Sequence, residues 1–197
     1  MHELTHQRRA RSRFWRWAGP FLLVAGFTLA TSELRDAYAS ADEKLTVPGI
    51  ANFGRMNAHL YRGAQPEIAA YPSLKAFGID TVVRLSTGEE FIAGEREHVE
   101  SLGMRFVSLP WRAAGVPSDE EVQAFLDLFR EQPSHTIFVH CREGVDRTGV
   151  MIALYRIAID RFTADRAMAE MKAFHYRYLF HPHLEEYVEA FSRLATQ

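Results

Sequence analysis

The chain of 197 residues has one cysteine, Cys141, so no disulfide can form within it and none supports the fold. Its nine histidines are scattered without metal-ligand spacing; His181-Pro182-His183 has no third ligand nearby and reads as a loop or helix start. No metal and no cofactor is expected. Excess positive charge is also missing: the formal net charge is −2, and the basic residues crowd one end. Residues 1–41 hold 6 Lys+Arg and 3 Asp+Glu, leaving 17 against 22 for residues 42–197, a net of −5. A nucleic-acid partner is therefore not expected, since a phosphate backbone demands a basic face. Repeats and low-complexity tracts are absent, and 47% hydrophobic with 24% charged residues is the balance of a globular chain.

The first forty residues differ in kind. Arg8, Arg9, Arg11, Arg13 and Arg16 precede an uncharged apolar run from Ala18 to Ala30. Thirteen residues suit a signal-peptide core, and Ala37-Tyr38-Ala39 offers a small-residue cleavage site. An uncleaved anchor over residues 14–31 fits the same stretch, with Trp15 and Trp17 at the interface. Both readings keep the arginines in the cytoplasm and send the remainder outward, to the periplasm or the outer face of an inner membrane. The expected organisation is thus an export signal or membrane anchor at 1–41 and one domain at 42–197.

Chemistry concentrates in His140-Cys141-Arg142-Glu143-Gly144-Val145-Asp146-Arg147-Thr148-Gly149. The apolar run Thr136–Val139 reads as a buried strand leading into it, and Val150–Tyr155 as the helix leaving it. Backbone N–H groups between a strand end and a helix start point inward and form an anion nest, to which the helix dipole adds. Such a field lowers a thiol pKa, making Cys141 a candidate nucleophile. Arg147 can grip two phosphoryl oxygens in bidentate fashion. Gly144 leaves the loop room to curl, and the Thr148 hydroxyl can serve the sulfur. The substrate-binding set is accordingly Arg142, Glu143, Gly144, Val145, Thr148 and Gly149. His140 is expected to hold the loop rather than transfer protons.

Cys-x5-Arg-Thr preceded by His and followed by Gly resembles the phosphate loop of the cysteine-based protein tyrosine and dual-specificity phosphatases. A wider similarity to small bacterial members covers roughly residues 45–195, including Leu60–Pro66 and Ala167–Met171. The resemblance implies a phosphotyrosine phosphatase-like fold and a two-step, metal-free hydrolysis of a phosphomonoester through a cysteinyl-phosphate. The order Cys-x-x-Gly-x-Asp-Arg-Thr is also similar to the loop of myotubularin lipid phosphatases. A rhodanese-like sulfur carrier is the nearest chemical competitor, but its loop is commonly shorter.

The proton donor is less defined. Relatives place an aspartate on a loop that here corresponds to residues 110–117, which contain no carboxylate. Asp146, inside the loop, is the preferred donor, with a structural ion partner as its alternative role. Asp119 comes second, although Ser118 with Glu121 forms a capping-box pattern that gives it a simpler role in a helix first turn. Arg62, Arg84 and Arg112 are candidate contacts, each more simply read as surface charge, with Arg112 first. The expected substrate is a phosphorylated protein, a phospholipid or phosphoinositide, or a small phosphomonoester; the competing class is a catalytically silent phosphate-binding module.

Strand patterns at Leu60–Arg62, Thr81–Leu85, Arg105–Leu109 and Thr136–Val139 alternate with helical patterns at Pro66–Phe77, Glu89–Leu102 and the stretch carrying Val122, Phe125, Leu126 and Phe129. Two more helices are expected at Ala164–Phe174 and Leu184–Leu194. The alternation predicts an α/β fold with a central, mostly parallel sheet flanked by helices, the active loop lying at a strand's carboxyl end.

Overall fold

The computed structural model describes residues 43–112 and 114–195. The expected signal or anchor at 1–41 lies outside the described residues. Among these residues no helix is long and apolar enough to cross a membrane.

Six strands form one sheet in the order β1-β2-β3-β6-β4-β5: β1 (Glu43–Lys44), β2 (Gly54–Arg55), β3 (Leu60–Ala64), β4 (Thr81–Arg84), β5 (Arg105–Ser108) and β6 (Ile137–Cys141). The β3–β6, β6–β4 and β4–β5 pairs are parallel, whereas β1–β2 and β2–β3 are antiparallel. The helices are α1 (Tyr71–Ala76), α2 (Glu89–Ser101), α3 (Asp119–Glu131), α4 (Asp146–Ala158), α5 (Ala164–Ala173) and α6 (Pro182–Ala195). The mostly parallel, helix-flanked sheet matches the expected class.

Two expectations shift. Residues 66–77 do not form one helix: a 3-10 turn at Ile68–Ala70 precedes the short α1, whose Pro72 sits in its first turn. Proline has no N–H to give and is best tolerated at a helix start, so the helix begins there. The two-residue edge strands β1 and β2 carry too few residues for any period to show.

Strand alternation sorts the core into two faces. Val83, Leu85, Ile137, Val139 and Cys141 pack with α3, α4, α5 and α6 on one side. Val82, Phe106 and Phe138 pack with Phe53, Tyr71, Leu74 and Val99 on the other. Because neighbours on a strand point oppositely, the Cys141 side chain faces α4 while His140 faces α2. Helix α4 is buried from Thr148 through Ile157, its apolar residues continuing round the helix rather than along one stripe. That enclosure fixes its N-terminus beneath the loop.

Candidate active site

Cys141 ends β6 beside Ala64 of β3, and the loop runs through Arg142–Val145 into α4. Two carbonyls of this loop are tied from outside it. Gln65 N–H donates to Arg142 O at 3.3 Å, Asn52 Nδ2 to Gly144 O at 2.8 Å, and Arg62 Nη2 to Gly144 O at 2.9 Å. A loop fastened in this way by its carbonyls can offer its amide hydrogens to an anion. Gly144 makes the curl feasible: its φ is +66°, and a Cβ there would stand 2.3 Å from Gly63 C and O.

Cys141 is 3% exposed. Burial would push its pKa up. Hydrogen bonding from the Thr148 hydroxyl and N–H, the Arg147 charge and the Glu143 N–H outweigh burial and bring the thiol below its ordinary value. The Thr148 side chain is itself fully buried. Arg147 is braced from behind, its Nη1 donating to Leu85 O at 3.5 Å and Trp111 O at 3.4 Å. Beside it a cleft of about 740 Å³ is walled by Gln65, Ile68, Ser86, His98, Arg142 and Arg147 among others.

Behind the loop sits a buried polar cluster. His140 Nε2 lies 2.8 Å from Glu95 Oε1 of α2. Glu95 also accepts from Arg84 Nη1 at 2.5 Å and Tyr71 OH at 2.7 Å, while Arg84 Nη1 reaches Gln65 Oε1 at 2.6 Å. Burial alone would raise the Glu95 pKa; the contacts of His140, Tyr71 and Arg84 reverse that and hold it at about 2. This cluster ties β4, β6, α1, α2 and Gln65, just after β3, together at the carboxyl end of the sheet; His140 is held by Glu95 and not, as expected, on the loop itself.

Asp146 is not arranged as a proton donor. Arg177 N–H donates to its Oδ1 at 3.1 Å, and Arg177 Nε and Nη2 both donate to Oδ2, the former at 3.0 Å. A general acid must turn an O–H toward the leaving oxygen, and both oxygens here are engaged as acceptors. Its place fits the structural ion partner instead. Asp119 is exposed in the first turn of α3, where Ser118 and Glu121 complete the capping box. Glu143 is exposed and pairs with Arg177 Nη1 at 2.9 Å.

Arg62 and Arg84, expected at the surface, are buried at 0% and 4% exposure. Each lies within an apolar strand run, a signal that their charges are used internally. Arg177 and Glu95 escaped the sequence reading. For Glu95 a trace existed, since helical spacing sets it on the same face as Ile92 and Val99.

A model of the family described as DSP-PTPase phosphatase fused to NAD+ kinase matches residues 48–181. The chain belongs to this phosphatase family. Dual specificity protein phosphatase TpbA of Pseudomonas aeruginosa (strain UCBPP-PA14) is 29% identical over 154 residues, 78% of this chain and 67% of that protein. The crystal structure of P. aeruginosa TpbA matches the phosphatase with a TM-score of 0.64 at 24% identity, covering 80% of this chain and 98% of that one; TpbA has also been solved in complex with pTyr. PTPMT1 in complex with PI(5)P matches at TM-score 0.59 and 18% identity, over 71% and 94% of the two chains. These structures carry the fold: the phosphatase has the architecture of the cysteine-based superfamily.

Proposed function

We propose that the protein hydrolyses phosphomonoesters by a cysteine-dependent, two-step reaction. The observation that carries this reading is the placing of Cys141 at the end of β6, before a loop whose Arg142 and Gly144 carbonyls are tied from outside, with Thr148, Arg147 and the Glu143 N–H acting on the sulfur to favour the thiolate. In the first step the Cys141 thiolate attacks phosphorus, the bond to the ester oxygen breaks, and that oxygen takes a proton. In the second, water attacks the cysteinyl-phosphate, releasing inorganic phosphate and returning the thiolate. Arg147 holds two phosphoryl oxygens and follows their charge through both steps. The Thr148 hydroxyl stabilises the departing sulfur. Arg142, Glu143, Gly144 and Val145 supply the loop backbone around the phosphate, whereas Gly149, expected among them, lies inside α4 with its N–H spent on Val145 O at 2.8 Å.

With both oxygens of Asp146 held by Arg177, the proposed donor passes to Asp119, the first carboxylate after the segment whose Trp111 carbonyl braces Arg147. The substrate is a phosphorylated protein, a phospholipid or a small phosphomonoester; TpbA solved in complex with pTyr and PTPMT1 in complex with PI(5)P support the first two. The arginine-rich, apolar N-terminal sequence supports a domain delivered outside the cytoplasm.

The test is turnover of an aryl and an alkyl phosphate by the full chain, with Cys141→Ser, Asp119→Asn and Asp146→Asn variants and mass detection of phosphate on Cys141. Cys141→Ser should be inactive on both. Asp119→Asn should lose only the alkyl substrate, because an aryl oxygen leaves with little acid help. Wild-type protein that binds phosphate yet turns over neither substrate would mark a silent binding module.

A further inference from the structure

We propose that the turn Tyr178-Leu179-Phe180 is a membrane-contact element that sets the mouth of the site against a lipid surface. The proposal rests on the phosphatase reading above and names where its substrate is met: at a bilayer. Tyr178, Leu179 and Phe180 are 50%, 75% and 76% exposed. Exposed apolar side chains scattered singly are ordinary, but three large ones in succession on one turn are not.

The turn is fastened to the active loop. Arg177, at its base, binds Asp146 at the start of α4 through both backbone and guanidinium, and pairs with Glu143 inside the loop. On its far side the Tyr176 hydroxyl donates to the His181 carbonyl. Whatever the three side chains rest on is therefore held at a fixed distance from Cys141.

Two observations select a lipid surface as the occupant. The described fold begins at Glu43–Lys44, and Lys44 Nζ lies 3.2 Å from His175 Nε2 and 5.2 Å from the Phe174 ring, a few residues before the turn. In the sequence, residues 31–42 separate Lys44's strand from the uncharged apolar run 18–30. Such a stretch spans at most about 40 Å, a short tether to any surface that holds that run. The local chemistry is interfacial as well: aromatic and leucine side chains at the tip, with Lys44 nearby and the stems of Lys172 and Arg177, whose charges are paired with Glu185 and with Glu143 and Asp146, beside it. Lys172 Nζ lies 5.6 Å from the Tyr178 ring. Amphipathic rings and long basic stems share the headgroup level. The net charge of −5 over residues 42–197 favours a surface of low negative charge.

The full chain should be reconstituted in phosphatidylcholine vesicles carrying a minor fraction of phosphatidate, beside soluble aryl phosphate and a soluble phosphotyrosyl peptide. The double variant Leu179→Asp/Phe180→Asp should lose about tenfold or more of its turnover of vesicle-borne phosphatidate and keep its turnover of both soluble substrates. A Leu179→Trp variant should show fluorescence quenched by brominated lipid beyond that of the wild type. Unchanged phosphatidate turnover overturns the proposal, as does a Leu179→Trp variant quenched no more than the wild type. Equal loss on the peptide also overturns it, assigning the turn to protein substrates. A wild type inactive on aryl phosphate would sink the phosphatase reading, whereas the quenching result still judges the turn.

Discussion

Replacing Glu95 by glutamine separates the support of the active loop from its chemistry. Glu95 is buried with Arg84, Tyr71 and His140 around it, and its pKa falls from 4.5 to about 2. A shift of that size corresponds to about 3 kcal/mol of stability. The folded-state value is depressed, so this contribution is fully present above the unfolded value of 4.5 and is lost as pH falls toward 2. Glutamine keeps an acceptor but leaves the buried Arg84 without its counter-charge, a loss of similar size, about 3 kcal/mol. Urea unfolding of both proteins should show that gap at pH 7 and pH 6, narrowing to about half by pH 3 as the wild-type carboxylate protonates. A gap under about 1 kcal/mol at neutral pH, or one that does not change on acidification, would refute the reasoning.

Gly144→Ala should abolish turnover, because the left-handed φ and the approach to Gly63 leave no space for a methyl; the measurement is kcat together with phosphate affinity, both of which should fall. Arg177→Ala should free the Asp146 carboxylate and weaken the loop, lowering kcat/KM for aryl phosphate about tenfold or more with Cys141 still reactive toward iodoacetamide. Arg62→Met should keep side-chain bulk over Phe174 yet remove one of the two donors to Gly144 O, leaving Asn52 Nδ2, costing about 1–3 kcal/mol in thermal unfolding and raising the KM for phosphate esters.

Much of this site was legible because its parts are contiguous. Residues 136–150 carry strand, loop and helix in one run, so the nucleophile, the guanidinium and the glycine could be placed from spacing alone. What tightens the loop arrives from elsewhere in the chain. Asn52, Arg62, Glu95 and Arg177 meet the loop only after the sheet has ordered its strands β3-β6-β4, and no local period records that pairing. Asp146 shows the same limit: the resemblance of its loop to that of the myotubularin phosphatases suggested a proton donor, while a partner thirty-one residues away occupies both of its oxygens. The alternation of β4 and β6 did place Arg84 and His140 on one face, but their shared carboxylate comes from α2.

The account stands on an ionised sulfur. Since Cys141 is the chain's one cysteine, the ultraviolet absorbance of its thiolate can be followed against pH with Cys141→Ser as the blank. The structure predicts a midpoint below that of an ordinary thiol, moving upward in Thr148→Val. A midpoint at or above that value, unchanged by loss of the Thr148 hydroxyl, would contradict the nucleophile and with it the reaction.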